Sequence, residues 1–312
     1  MKIAVASGKG GTGKTTVAVS LALSIASKRL SVKASQRLSV KASKRLTEAN
    51  AETLGRYDAT TLFLDCDVEE PNAHLFLRPT IERREEVGIL IPQVDEAKCT
   101  HCGRCAEVCQ YHAIAVLPQK VLVFPQLCHG CGGCALECPE EAITEVFNPI
   151  GVIEEGAAGP IAFAHGILNV GEPMATPIIR QLKRRAKDFA GTIILDAPPG
   201  TSCPVVETMR GADFALLVTE PTPFGLHDLR LAVEVARELR VPVGVVINRD
   251  GVGDARVDEY CAAEGIAVLM RIPLLRSIAE AYSKGVPLVE ALPEYQERFQ
   301  ELYRRIEGEV AR

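Results

Sequence analysis

Gly8-Lys9-Gly10-Gly11-Thr12-Gly13-Lys14-Thr15-Thr16 is the stretch from which the rest of the chain is read. An apolar segment at residues 2–6 precedes it and predicts a short buried strand. The apolar pattern of residues 17–26 follows it and predicts a helix. Glycine lets successive backbone N–H groups converge on one anion without Cβ clashes, and the N-terminus of the helix adds favourable potential for negative charge. Lys14 is then placed to reach the β- and γ-phosphates of a nucleotide, and the Thr15 hydroxyl to ligate Mg²⁺. A glycine-rich turn with no ligand is the bland alternative, and the strand before and helix after argue against it.

Outward from this loop the pattern alternates. Residues 61–64 predict a second buried strand that ends in Asp65. Strands are expected at 192–195, 214–219, 243–247 and 267–272, with helices at 177–189, 205–211, 226–239, 257–264 and 294–309. Apolar strands alternating with amphipathic helices predict an α/β fold, a mostly parallel sheet covered by helices on both faces.

Between the second strand and residue 192 lies a cysteine-rich block. Cys99, Cys102, Cys105 and Cys109 are spaced C-x₂-C-x₂-C-x₃-C, and Cys128, Cys131, Cys134 and Cys138 repeat the spacing 29 residues on. The halves also align at Ala106/Ala135 and at Ala113-Ile114/Ala142-Ile143. Soft thiolates at this spacing suit iron–sulfur clusters, with the fourth cysteine of each run serving the other cluster. One 4Fe–4S cluster is therefore expected on Cys99, Cys102, Cys105 and Cys138, and a second on Cys128, Cys131, Cys134 and Cys109. Zinc is the competitor, but zinc ribbons pair C-x₂-C knuckles across a longer gap. Gln110 follows the fourth cysteine of the first run where Pro139 follows that of the second. Cys66, Cys203 and Cys261 stand outside the block and read as small hydrophobes. The domain expectation is a nucleotide domain in two parts, 1–87 and 148–312, interrupted by a small α+β ferredoxin-like domain at 88–147.

Composition narrows the classes. A net charge of −5 argues against a protein that coats nucleic acid, and 47% hydrophobic with 24% charged residues is ordinary for a folded chain. No apolar run reaches the ~18 residues of a membrane span. The N-terminus enters a strand and glycine loop at once, so no signal peptide is expected and the expected location is cytoplasmic. Eleven cysteines in a reducing compartment point to metal or redox chemistry rather than disulfides. Residues 28–51 are a near-repeat, KRLSVKAS-QRLSVKAS-KRLTEANA, with seven Lys and Arg and no acid from Lys28 to Arg45. An eight-residue period builds no constant helical face, while Leu, Val and Ala alternate with polar residues within each copy as in a strand; a solvated insertion is the first reading and a surface for an acidic partner, lipid or nucleic acid the alternative.

The form K-G-G-x-G-K-T, with Lys9 inside it, resembles the deviant phosphate loop of the MinD/ParA/Mrp superfamily. The resemblance implies a homodimer formed on ATP binding, in which Lys9 reaches ATP in the partner. It implies that Asp67, in Leu64-Asp65-Cys66-Asp67, positions the attacking water or the Mg²⁺ shell, with Asp65 beside it. It implies that Asp196, in Ile193-Ile-Leu-Asp196-Ala-Pro-Pro-Gly200, holds a Mg²⁺-bound water, and that the Gly200 amide senses the γ-phosphate. Asn248 and Arg249 match the adenine-binding position, and Pro273 the loop over the base. With the cysteine block, and with the segment from Gly166 to Pro173, the chain is similar to the branch of that superfamily with an inserted ferredoxin domain.

The expected function is an ATPase whose dimer switch is coupled through two clusters to electron transfer or an assembly reaction, working with a redox or acceptor protein. The catalytic set is Lys9, Lys14 and Asp67, and the Mg²⁺ set Thr15, Asp67 and Asp196. The alternatives are an Mrp-like iron–sulfur cluster carrier and a MinD/ParA-type positioning switch. Carriers of that type hold a labile cluster on a C-terminal C-x-x-C, and no C-x-x-C occurs here outside the block.

Overall fold

The computed structural model describes residues 1–36, Leu54, Tyr57 and 59–311. Among them, nine strands form one sheet: β1 (Lys2–Ala6), β2 (Thr61–Asp65), β3 (Thr80–Val94), β6 (Ile143–Ala158), β7 (Ile161–Leu168), β8 (Thr192–Asp196), β9 (Phe214–Thr219), β10 (Val243–Asp250) and β11 (Ala267–Pro273). Their order across the sheet is β11-β10-β9-β1-β8-β2-β7-β6-β3. From β11 to β7 every pairing is parallel, and β6 and β3 then run antiparallel. β4 (Ile114–Leu117) and β5 (Lys120–Val123) pair separately.

The central strands alternate by the two-residue period of a sheet buried on both faces. Ile3 and Val5 face a core with helices α1 (Lys14–Gln36), α2 (Ala73–Leu77), α10 (Leu288–Ala291) and α11 (Glu294–Val310). Ala4 and Ala6 face the opposite core with α5 (Thr176–Arg185), α6 (Cys203–Met209), α7 (Pro223–Glu238) and α8 (Arg256–Ala263). Phe299 of α11 is fully buried, and its loss to alanine would cost about 3–5 kcal/mol. Helix α1 begins at Lys14 and continues through Gln36, ten residues past the expected end at residue 26. The first copy of the basic repeat thus continues this helix. The rest of the repeat lies outside the described residues.

The antiparallel ribbon is a departure from the expected parallel pattern. β3 is the edge strand, reading Glu82-Arg83-Arg84-Glu85-Glu86 before it turns apolar, with Pro92 opposite Glu145. Charge and proline on an edge discourage pairing with another chain, and they also mask the strand pattern. β6 leaves the parallel sheet at its C-terminal end: Gly151 lies beside Leu168, and residues 143–149 continue beyond it paired with 88–94. At ~3.3 Å per residue this ribbon rises roughly 23 Å above the sheet. Residues 95–142 sit at its tip, held by α3 (Arg104–Val108) packed on α4 (Gly133–Leu136) and by a small core of Cys105, Ile114, Val121 and Ile143. The tip and the glycine loop after β1 therefore stand on the same edge of the sheet. A bulge between Val87 and Gly88 marks where the ribbon leaves it.

Candidate functional site: a nucleotide loop and two thiol-lined cavities

β1 delivers the chain into the loop before α1. Ser7 Oγ donates to Lys9 O at 2.6 Å and closes the first turn. Two glycines are required by close approach. A Cβ on Gly8 would stand 2.2 Å from Asp228 O, and one on Gly13, where φ is +91°, would stand 2.4 Å from Asn248 Nδ2. Lys14 is buried at the start of α1, and the Thr12 hydroxyl has no hydrogen-bond partner among the described residues.

Three carboxylates approach the loop from neighbouring strands. β2 and β8 pair with Asp65 opposite Asp196, and Cys66 N–H donates to Asp196 O at 2.9 Å. Asp65 accepts from the backbone N–H groups of Asp67, Asn72 and Ala73 at 3.0–3.1 Å. Its oxygens are thus committed to the segment that enters α2, so Asp65 shapes the turn that carries Asp67. Burial, followed by the charges of Asp196 and Asp67, holds the Asp65 carboxyl well above the usual carboxylate range.

Asp67 faces Lys14. Burial pushes its carboxyl up to about 6, against the pull of the Lys14 ammonium. Asp196 is raised by burial too, with the Thr15 hydroxyl and Lys14 pulling it back. Neither Asp196 oxygen makes a hydrogen bond of ordinary geometry among the described residues. An orphaned buried carboxylate beside Thr15 fits a hard divalent cation with oxygen ligands.

The residues expected at the base are drawn onto the loop itself. Asn248 Nδ2 donates to Thr12 O at 2.7 Å, and Arg249 Nη2 to Gly11 O at 3.1 Å. Pro273 ends β11 opposite Asp250, on the strand beside the one that carries Asn248 and Arg249. Glu220, just after β9, was not among the expected site residues. This carboxylate lies 3.1 Å from Lys9 Nζ and 3.1 Å from Arg249 Nη1, so it holds a loop cation and a β10 cation in place. An acid at a strand end beside the glycine loop was the available signal.

The cysteines gather around two cavities. Cys99, Cys102, Cys105 and Cys138 line one; Cys109, Cys128, Cys131 and Cys134 line the other. Each cavity thus combines three cysteines of one run with the fourth of the other. The 29-residue repeat also appears in the backbone. His101 and Gly130 N–H groups donate to Cys99 and Cys128 Sγ at 3.4 Å, and Ala113 and Ala142 N–H groups to Cys109 and Cys138 Sγ at 3.3 Å. Positive φ recurs at His101/Gly130, Gly103/Gly132 and His112/Glu141, turning amides toward sulfur. Burial raises the thiols of Cys105, Cys128 and Cys134, the last to about 11. Four thiols around a cavity with amides aimed at sulfur fit an iron–sulfur cluster, whose binding would displace the protons.

The halves differ in one ring contact. Tyr111 stacks on His129 beside the second cavity, ring centroids 3.6 Å apart. The equivalent positions beside the first are Glu140 and Thr100. Of the other cysteines, Cys66 and Cys261 are buried and Cys203 is exposed at the start of α6. Burial, followed by the neighbouring Asp65 carboxyl, holds the Cys66 thiol well above its usual range.

Residues 91–150 match the model of the 4Fe-4S dicluster domain. An uncharacterized protein of Methanocaldococcus jannaschii is 29% identical over 98% of this chain and 96% of its own length. An iron-sulfur cluster carrier protein of Pyrococcus abyssi is 25% identical over 92% of this chain and 79% of its own. Among solved structures, the septum site-determining protein MinD of Pyrococcus horikoshii, complexed with Mg-ADP, superposes with a TM-score of 0.54 at 18% identity, over 98% of this chain and 95% of that one. Among the described residues, no helix is long and apolar enough to cross a membrane. The chain therefore has the fold of the MinD structure, with a glycine-rich loop after β1, and its residues 91–150, which match the 4Fe-4S dicluster domain, stand on a ribbon at the edge of its sheet.

Proposed function

We propose that this protein is an ATP-driven switch that gates electron transfer through two 4Fe–4S clusters. The observation that carries the reading is the joint between the two sites. Val68, next to Asp67, accepts a hydrogen bond from Leu168 N–H at 2.8 Å, and Asn169 N–H donates to Ile150 O at 2.9 Å. Ile150 belongs to β6, the strand that bears the cysteine domain. A change at Asp67 therefore reaches the root of the ribbon through two backbone hydrogen bonds.

In this reading Lys14 and the loop amides bind the phosphates, while Thr15, Asp67 and Asp196 hold the Mg²⁺ shell. Asp67 also orients the attacking water, and the Gly200 amide turns from Ser7 O, 3.1 Å away, toward the γ-phosphate. Lys9 leaves Glu220 to reach the nucleotide of a second copy. The cysteines Cys99, Cys102, Cys105 and Cys138, and Cys128, Cys131, Cys134 and Cys109, hold the two clusters, which supply one-electron carriers when bound. Closure of the dimer then changes how the ribbon presents these ligands to a redox partner.

The test is anaerobic. Asp67→Ala should retain ATP binding and lose turnover by about 100-fold or more. Cluster reoxidation rates should differ with and without Mg-ATP in the unaltered protein; equal rates would sink the gating. A cluster carrier is the second reading, favoured by the similarity to the Pyrococcus abyssi carrier. Stoichiometric movement of iron and sulfide to an apo-acceptor would establish it instead.

A further inference from the structure

We infer that α5 is the lever that transmits the nucleotide switch to the cluster ribbon, with Gln181 as the clamp on the ribbon's hinge. This rests on the gating reading and names the part that executes it. Three faces of this one ten-residue helix are engaged differently. Ile178, Ile179 and Leu182 are buried against the sheet. The Ile178 side chain fills the space beside two glycines: a Cβ on Gly151 of β6, or on Gly166 of β7, would come within 2.5 Å of it. The helix thus seats directly on the strands at the root of the ribbon.

A second face grips α6, the helix that follows Gly200. Lys183 Nζ donates to the carbonyls of Glu207 and Arg210, the latter at 2.7 Å, and Arg180 pairs with Glu207 at 3.3 Å. Burial lowers the Lys183 ammonium, and the neighbouring Cys66 and Glu207 oppose this. The third face grips the ribbon. Gln181 Nε2 donates to Gly88 O at 2.9 Å, on the residue where the β3–β6 register shifts, and Arg185 bridges Glu85 and Glu155 at 3.0 Å each. Residues 181 and 185 lie one turn apart, so one helix face holds both sides of the bulge.

When Gly200 exchanges Ser7 O for a phosphate oxygen, the N-terminus of α6 moves with it. α5 is bonded to α6 and cannot remain in place without giving up three polar contacts. Its displacement falls on Gly88, where the bulge and the opposing Pro149 weaken the ladder. The ribbon bends there, and the two thiol-lined cavities move with the tip.

The experiment uses the full chain with its clusters. Hydrogen exchange at residues 85–91 and 145–151, and the rate of cluster reoxidation, are measured with and without Mg-ATP in the unaltered protein, in Gln181→Leu and in Lys183→Met. Each variant cuts one end of the lever and leaves the nucleotide loop and all eight motif cysteines intact. Both should bind ATP and show unchanged cluster spectra without nucleotide. The ATP-dependent ratio of reoxidation rates should fall about fivefold toward one, and the ATP-dependent change in ribbon exchange should disappear. Retention of the full ATP effect in both variants overturns the lever and leaves gating standing. Absence of any ATP effect in the unaltered protein overturns gating and the lever together. Should Gln181→Leu prove unstable, Lys183→Met decides alone, because its partners lie on α6 and not on the ribbon.

Discussion

The two candidate sites are built on opposite physical terms. The nucleotide loop sits on the ends of five-residue strands buried at every side chain except Lys2, between two large apolar cores. Its geometry is set by packing before any ligand arrives. The cysteine domain spans 48 residues (95–142), and its core consists of Cys105, Ile114 and Val121 with Ile143 of the adjoining β6. A unit of roughly 60 residues or fewer is marginal on its own core, so the order of this tip is expected to depend on what the cysteines hold. One site is organised by the fold, whereas the other organises its own.

The largest expected effect follows from that difference. Removal of iron by chelation under reducing conditions should strip hydrogen-exchange protection from residues 95–142 by several orders of magnitude. β1, β2, β8 and β9 should exchange as before, and nucleotide binding should persist. Cooperative loss of protection in the parallel sheet would break the comparison by making the two regions one folding unit. Cys134→Ser should reproduce the same pattern without a chelator, because Cys134 lines the second cavity.

A smaller effect sharpens the nucleotide half. Glu220 holds Lys9 and Arg249 beside the phosphate loop, whereas in the proposed closed dimer Lys9 leaves Glu220 for the second copy. Lys9 is about one-third exposed, so solvent screens its pair and the pair is worth about 1 kcal/mol. Glu220→Gln should therefore raise the ATP-dependent dimerisation constant about fivefold, read by analytical ultracentrifugation. A fall in that constant would mean that Glu220 supports the closed state rather than opposing it.

How much of this was legible depended on whether local pattern and tertiary environment agreed. The parallel strands were legible because both faces are buried and nothing polar interrupts them: residues 214–219 were expected and β9 spans Phe214–Thr219. β7 was not, since Ala164-His165-Gly166 has weak strand propensity, and Gly166 is there for the closeness of Val68 and Ile178. The ribbon was hidden by its charged edge. At the sites, cysteine spacing identified the groups that now line the two cavities, because that motif is local. Glu220 and Gln181 act across 211 and 93 residues of chain, respectively, on Lys9 and Gly88. No spacing rule reaches that far.

The smallest expected effect tests a pair between the two regions. His165 of β7 lies beside Asp65 in the sheet, and its Nε2 is 2.8 Å from Glu154 of β6. The groups that face it are Glu154, Arg84 at 2.8 Å from Glu154, and His74, whose ring meets its edge at 5.4 Å. Burial depresses the His165 imidazole below its ordinary value, and Glu154 opposes this only in part. A depressed histidine contributes stability that is fully present above the unfolded value of about 6.5 and is lost as pH falls from there toward the folded value. The urea midpoint of the protein should therefore drop between pH 7.5 and 5.5 by more than that of His165→Gln, whose side chain carries no titrating proton. Equal drops in the two proteins would place the acid sensitivity elsewhere. A larger drop in the variant would mean that the charged imidazole stabilises its pair with Glu154, reversing the sign derived from burial.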